Sequence, residues 1–348
     1  MKILHVITSL EIGGAQRLLS DLLPLQRKQV DVILLVYKRV ANDFTKKVEN
    51  AGVPIISLDE LNFYNPGIIF RLRKIFKGFD IVHVHLFPSL YWASLAAKGT
   101  KTKLIYTEHS TSNSRRGKWY FRPIEKFIYK SYSKIISISL QSQKSLTDWL
   151  QSNDERFVVI NNGVNTKAFS FVKRPVIPKS LIMVSRFVSS KDQETVIRAM
   201  KQIDIDAVLR FVGDGENRVN CENLAKALGV ADRIQFLGSR SDIAELIAES
   251  YIGIQSSNWE GFGLTAVEMM ACGKPVLASN VDGLKQIVEG AGVVFSKGNT
   301  SELAESVNYL LNEKAYYTKI AEQCFARAKE YDIKIMVDNY LKVYTEII

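Results

Sequence analysis

Short runs rich in Ile and Val recur along the first half of the chain: "KILHVIT" (2–8), "VDVILLV" (30–36), "DIVHVHL" (80–86), "KLIYTEH" (103–109), "KIISIS" (134–139) and "RFVVIN" (156–161). Helix-length segments separate them, for example at 15–29, 66–77 and 141–151. Near-continuous apolar strands alternating with helices predict a parallel, doubly wound sheet covered on both faces. The pattern then restarts with "SLIMVS" (180–185), "AVLRFVG" (207–213), "RIQFLG" (233–238), "IGIQSS" (252–257), "PVLAS" (275–279) and "GVVFS" (292–296). Between the two series, "NNGVNTKAFSFVKRPVIPKS" replaces periodicity with Asn, Gly and Pro, the marks of a join. The expected architecture is α/β, with two Rossmann-like domains whose parallel sheets face across a cleft. The first domain spans 1–166, the second 178–331, and 167–177 links them. Residues 301–348 read as helical. The last segment keeps one apolar face through Ile333, Val337, Tyr340, Leu341, Tyr344 and Ile347, so a helix at 332–348 is expected to cross back onto the first domain.

Composition narrows the class. With 47% hydrophobic and 24% charged residues over 348 positions, the chain is globular and long enough for two ordinary domains. Cys221, Cys272 and Cys324 are far apart and odd in number, which argues against a disulfide framework or a zinc site and for a reducing cytosol. His5 and Glu11 interrupt the N-terminal apolar run, so it reads as a strand and not as a signal peptide. No run of 18 apolar residues occurs, hence no membrane span is expected. The formal net charge is +10, and much of it is local: 101–134 carries nine Lys/Arg against two Glu, interleaved with aromatics. Such a segment seeks phosphates, and peripheral contact with an anionic membrane is one reading. A solvated helix face with its aromatics in the core is the other.

Open α/β sheets bind ligands beyond the carboxyl ends of their strands. The residues there are Gly13 and Gly14, His109, Arg186 and Lys191, Gly213 to Gly215, and Glu260 to Glu268. In "WEGFGLTAVE", Thr265 is expected to begin a helix whose first amides favour an anion. Thr265 and Glu268 also have capping-box spacing, in which case the helix satisfies its own end. Glu260 stands outside such a box, on a loop ahead of two glycines, and a carboxylate there suits sugar hydroxyls as donors. Lys191 lies beside a helix start, where the macrodipole disfavours a cation unless an anion is bound. Arg186 directly follows a strand, so the pair suits a diphosphate that gains charge as its bond breaks. His83 and His85 share one face of a strand without a Cys or carboxylate pair nearby, so no metal site is expected. Asp204 and Asp206 precede their strand and read as a solvated loop.

Several segments together resemble the retaining glycosyltransferases of glycosyltransferase family 4, with the GT-B architecture: "GGAQ", "DIVHVH", "YTEHS", "VINNGVN", "VSRFVSSKDQETVIRAM", "FVGDGE", "RIQFLG" and above all "EGFGLTAVEMMACGKPVLAS". The resemblance covers nearly the whole chain. It implies that Arg186 and Lys191 hold the diphosphate, that Glu260 contacts the transferred sugar and Glu268 the ribose, and that Gly261, Phe262, Gly263, Leu264 and Thr265 form the donor loop, with amides from Gly263 to Thr265. His109 matches the family's N-domain histidine near the reacting carbon, and Gly13, Gly14 and Gly213 fall on its glycine loops. Two departures are Gln16, where Glu is common, and "RKQVDV", which lacks the usual Gly-His.

The activity implied is metal-independent transfer of a hexose from a nucleotide-diphosphate sugar, UDP favoured over GDP, with retention at the anomeric carbon. The acceptor would be a hydroxyl of a glycan or lipid-linked molecule in capsule, exopolysaccharide or O-antigen synthesis. No cofactor and no nucleic acid are expected, and the location is cytoplasmic, peripheral on the inner membrane face. A GT-B nucleotide-sugar epimerase would use the same diphosphate grip but needs acid and base residues about carbon 2, where only His109 is well placed. A nucleotide-sugar-binding protein without catalysis should lack His109 or Glu260, and both are present.

Overall fold

The computed structural model describes residues 1–11, 13–111, 114–170 and 174–348. The chain divides into two compact units, Met1–Gly163 with Ile333–Ile348, and Val164–Asp332. The division falls three residues before position 166. The segment read as a linker begins within a short helix, Thr166–Ser170, which belongs to the second unit and packs on the helix Leu264–Ala271.

Unit 1 holds seven strands: β1 (Lys2–Ile7), β2 (Asp31–Val36), β3 (Ile55–Ser57), β4 (Ile81–His85), β5 (Lys103–Glu108), β6 (Lys134–Ser137) and β7 (Phe157–Val159). All pairings are parallel, in the order β3-β2-β1-β4-β5-β6-β7, so the winding reverses between β1 and β4. Both faces are covered, which is why the strands read as continuous apolar runs. Leu4, Val6, Val82 and Val84 face one core. Ile3, Ile7 and Ile81 face the other, beneath the helix Gly14–Gln26 and the C-terminal helix Ile333–Ile347. The C-terminal helix buries Ile333, Met336, Val337, Tyr340, Val343 and Tyr344, with Leu341 and Ile347 at the edge. Gly163 makes this return possible: a Cβ there would meet the Ile333 Cα at 2.5 Å.

Unit 2 holds six strands: β8 (Ser180–Val184), β9 (Val208–Val212), β10 (Ile234–Phe236), β11 (Ile252–Gln255), β12 (Val276–Ser279) and β13 (Val293–Phe295). They pair in parallel in the order β10-β9-β8-β11-β12-β13, the Rossmann arrangement, with the reversal between β8 and β11. The chain is thus α/β with two parallel-sheet Rossmann-like domains. The sequence pattern missed only β3, three residues long. No described helix is long and apolar enough to cross a membrane.

Candidate functional site

In unit 2 the predicted residues cluster where the winding reverses. Arg186 follows β8, is exposed, and its guanidinium has no ion-pair partner among the described residues. Its backbone is held from below: the buried Gln193 side chain donates to the Arg186 carbonyl at 2.9 Å and to Ser185 Oγ at 3.1 Å. Gln193 opens the helix Gln193–Ala199, whose N-cap Asp192 accepts from the Thr195 amide. That cap supplies the negative charge the helix end favours, so the dipole gives Lys191 no need of an external anion, contrary to expectation. Lys191 instead pairs with Glu260 through Nζ and Oε2, with Ser257 Oγ at 3.4 Å. A backbone bridge between Lys191 and Ser257 joins the same two loops.

The glycines divide by role. At Gly213 and Gly215 a Cβ would strike the carbonyls of Ser185 (2.1 Å) and Phe187 (2.4 Å), and both have positive φ. They let the loop after β9 press against the Arg186 loop, so Gly213 supports that loop and does not offer space to a ligand. Gly263 is the N-cap of the helix Leu264–Ala271 in the left-handed region, φ 91°. Leu264, not Thr265, is therefore the first helical residue. The cap is Gly263 and not Thr265, and among the described residues no side chain caps this end, so the capping-box reading fails. The Leu264 and Thr265 amides head the helix. Glu268 lies one turn in, 3% exposed. The Phe262 ring is buried edge-on against Tyr331 at 5.5 Å, so its side chain is core and only its backbone borders the loop. Glu260 Oε1 also accepts from the Gly261 amide at 3.2 Å.

In unit 1, Gly13 is the N-cap of the helix Gly14–Gln26 and the Gln16 side chain folds over it, while the space beside Gly14 is open. His109 follows β5 and is half-buried. Its Nε2 lies 3.0 Å from His85 Nδ1, and His85 Nε2 lies 3.0 Å from His5 Nδ1. Strand register causes this: His5 on β1 stands opposite His83 on β4, and His85 opposite Thr107 on β5. His83 Nδ1 meets the Tyr344 hydroxyl at 2.6 Å and its Nε2 meets Thr107 Oγ1 at 2.7 Å. Burial lowers all four pKa values, His5 to about 3, His109 to about 4, His83 and His85 well below the usual value, so all four are neutral imidazoles at pH 7. His5, His83 and His85 lie close enough to hold a metal ion. However, both nitrogens of His83 and of His85 already have hydrogen-bond partners, so the cluster reads as a polar network. Sequence reading had His5 only as a break in an apolar run. Its part in the network depends on non-local register.

The basic segment 101–134 divides in two. Arg115 binds the buried Glu125 at 2.8 Å and Arg116 binds the buried Glu108 at 2.5 Å, so these two cations are spent internally. Residues 112 and 113 lie outside the described residues. Lys101 and Lys103 are exposed at the start of β5, and about 118–130 Lys118, Trp119 (81% exposed), Tyr120, Ile124, Phe127 and Lys130 face outward. The Asp204/Asp206 loop is held by Lys179 at 3.0 and 3.1 Å.

Comparison with known proteins matches two family descriptions, "Glycosyltransferase Family 4" over residues 12–168 and "Glycosyl transferases group 1" over 165–330. An O-antigen biosynthesis glycosyltransferase of Escherichia coli is 25% identical, with 99% of this chain and 98% of that one covered. The N,N'-diacetylbacillosaminyl-diphospho-undecaprenol alpha-1,3-N-acetylgalactosaminyltransferase of Campylobacter jejuni is 22% identical over 88% and 89% of the two chains. In fold, the chain is similar to Anabaena HepE, crystallised with UDP and glucose, at a TM-score of 0.88, 22% identity and full coverage of both chains.

Proposed function

The chain belongs to the GT-B glycosyltransferases of the family 4 and group 1 type, and from that premise we propose that it moves a hexose from a UDP-sugar to a hydroxyl of a lipid-linked glycan, with retention and without a metal. The observation that carries this reading is Arg186, an exposed guanidinium without a carboxylate partner among the described residues, on a loop that Lys191 ties through Glu260 to the segment leading into the helix Leu264–Ala271. A departing diphosphate gains charge, and a fixed cation with backbone amides stabilises it by electrostatic preorganisation. In unit 2, Glu268 is assigned to the ribose and Glu260 to hydroxyls of the transferred sugar; in unit 1, His109 is assigned to a sugar hydroxyl and Gly14 to the acceptor. A two-step retention needs a carboxylate beside the anomeric carbon. We assign none, and favour same-face attack in which a donor phosphate oxygen takes the acceptor's proton. UDP is favoured because the related fold of HepE was crystallised with it.

Turnover of UDP-hexoses with an undecaprenyl-diphosphate-linked acceptor, in excess EDTA, tests this reading. Activity should persist undiminished. Complete loss restored by manganese or magnesium would remove the assigned role of Arg186.

The lipid-linked acceptor is suggested by the undecaprenol-linked acceptor of the Campylobacter relative together with the outward surface about 118–130. Trp119, Tyr120, Ile124 and Phe127 offer an apolar tip flanked by Lys118 and Lys130, suited to an anionic bilayer interface. Lys118→Glu with Lys130→Glu should weaken binding to acidic vesicles by about 1 kcal/mol per removed charge. Vesicle binding that ignores both changes would exclude this surface. Arg115 and Arg116 are unsuitable probes, since replacing them breaks the pairs with Glu125 and Glu108.

A further inference from the structure

The histidine network runs from a single amide in the core to His109. Gln26, the last residue of the helix Gly14–Gln26, is fully buried, and its Nε2 donates to the Tyr344 hydroxyl at 3.4 Å. Its side chain also neighbours His5. Gln26 Oε1 and His5 Nε2 are both buried and neither has a hydrogen-bond partner among the described residues, so a small shift that paired them would satisfy both.

A neutral imidazole has one N–H and one bare nitrogen, so a chain of such rings has one direction throughout. If His5 Nε2–H donates to Gln26, then His5 Nδ1 is bare and accepts from His85 Nε2–H. His85 Nδ1 is then bare and accepts from His109 Nε2–H, which leaves His109 Nδ1 bare. The second branch agrees: the Tyr344 hydroxyl, accepting from Gln26, donates to His83 Nδ1, and His83 Nε2–H donates to Thr107 Oγ1. Among the described residues nothing occupies His109 Nδ1.

We propose that Gln26, His5 and His85 are positioning residues that lock His109 in the tautomer with a bare Nδ1, so that His109 meets its ligand as a hydrogen-bond acceptor and not as a proton donor. The ligand group is a hydroxyl, with its hydrogen directed at Nδ1. This inference rests on the assignment of His109 to the sugar, but the tautomer itself is a property of the ligand-free protein.

Nitrogen NMR of the full chain labelled at histidine tests it, with the His109 signals assigned by their loss in His109→Gln. In the wild type, His109 should show a protonated Nε2 and a bare Nδ1 at pH 7. Gln26→Leu removes the terminal acceptor and should produce a mixture of both tautomers at His109. It should also lower kcat about tenfold, the scale of lost outer partners, with UDP affinity unchanged. Gln26→Glu should restore the single tautomer, because a buried carboxyl is driven to its neutral form and then both accepts from His5 and donates to Tyr344. A wild-type His109 protonated at Nδ1, or a Gln26→Leu protein with the wild-type tautomer, would overturn the proposal. The wild-type spectrum decides even if the Leu variant does not fold. If His109→Ala leaves turnover intact while the tautomer pattern holds, the fault lies in the assignment of His109 to the sugar and not in the relay.

Discussion

Acidification from pH 7 towards 4 is expected to unfold this protein more steeply than titration of surface carboxylates would explain. His5, His83 and His85 are at most 1% exposed and are held neutral by burial, His5 with a pKa of about 3. In the unfolded chain each protonates near pH 6.5. The unfolded state therefore binds more protons below that value, and stability, fully present above it, is lost as pH falls towards the folded values. Each histidine that stays neutral in the fold costs about 1.4 kcal/mol per pH unit, so three approach ~4 kcal/mol per unit, against a typical total of about 5–15 kcal/mol. Urea unfolding measured at intervals between pH 7 and 4.5 checks this. His83→Gln should flatten the slope even though it lowers stability at pH 7. Stability that does not change from pH 7 to 5 would contradict the neutral cluster.

Arg186→Ala is expected to lower turnover by about 100-fold, roughly 2.7 kcal/mol, the scale of deleting one preorganised electrostatic donor. Because the side chain is exposed and without an ion-pair partner among the described residues, the substitution should leave the melting temperature nearly unchanged. Glu260→Gln should behave in the opposite sense towards free nucleotide. In the ligand-free protein Glu260 neutralises Lys191, so its removal frees the ammonium for a diphosphate. UDP affinity should rise by about 1 kcal/mol, roughly fivefold, while turnover falls for want of the contact to the sugar. Calorimetric titration with UDP beside turnover assays separates the two. Weaker UDP binding in Glu260→Gln would mean that the Lys191–Glu260 pair itself shapes the phosphate site.

The strand framework was legible because both faces of each sheet are buried, so β1, β4 and β8 appear as Ile-, Leu- and Val-rich runs, broken in β1 and β4 only by buried histidines. β3 was not, since Ile55–Ser57 is too short to stand out from a loop. The helix start at Leu264 was misplaced by one residue, because a left-handed glycine at 263 takes the cap that Thr265 seemed to supply. Charge was the least legible. Arg115 and Arg186 look alike in sequence, yet one is matched to the buried Glu125, ten residues on, and the other has no carboxylate partner among the described residues, a distinction made by packing. Gln193 stands inside the segment "VSRFVSSKDQETVIRAM", but no role is assigned to it from sequence, though it holds the Arg186 backbone. Phe262 drew notice only by its place in the glycine loop, whereas its ring belongs to the core.

The discontinuity of unit 1 has a consequence for how the molecule is made. Its sheet is complete once Val159 has been synthesised, but one face lacks the cover of Ile333–Ile347, and His83 lacks the Tyr344 hydroxyl. Unit 2, by contrast, is contiguous from Val164 to Asp332, so all six strands of its sheet have been made when its last residue leaves the ribosome. Order of synthesis and order of completion are therefore reversed: the unit translated first closes last, when the final helix reaches Gly163 and docks. Premature termination between Asp332 and Met336 would release a chain with a finished second unit and a bare apolar face on the first, a form that quality-control proteases would recognise.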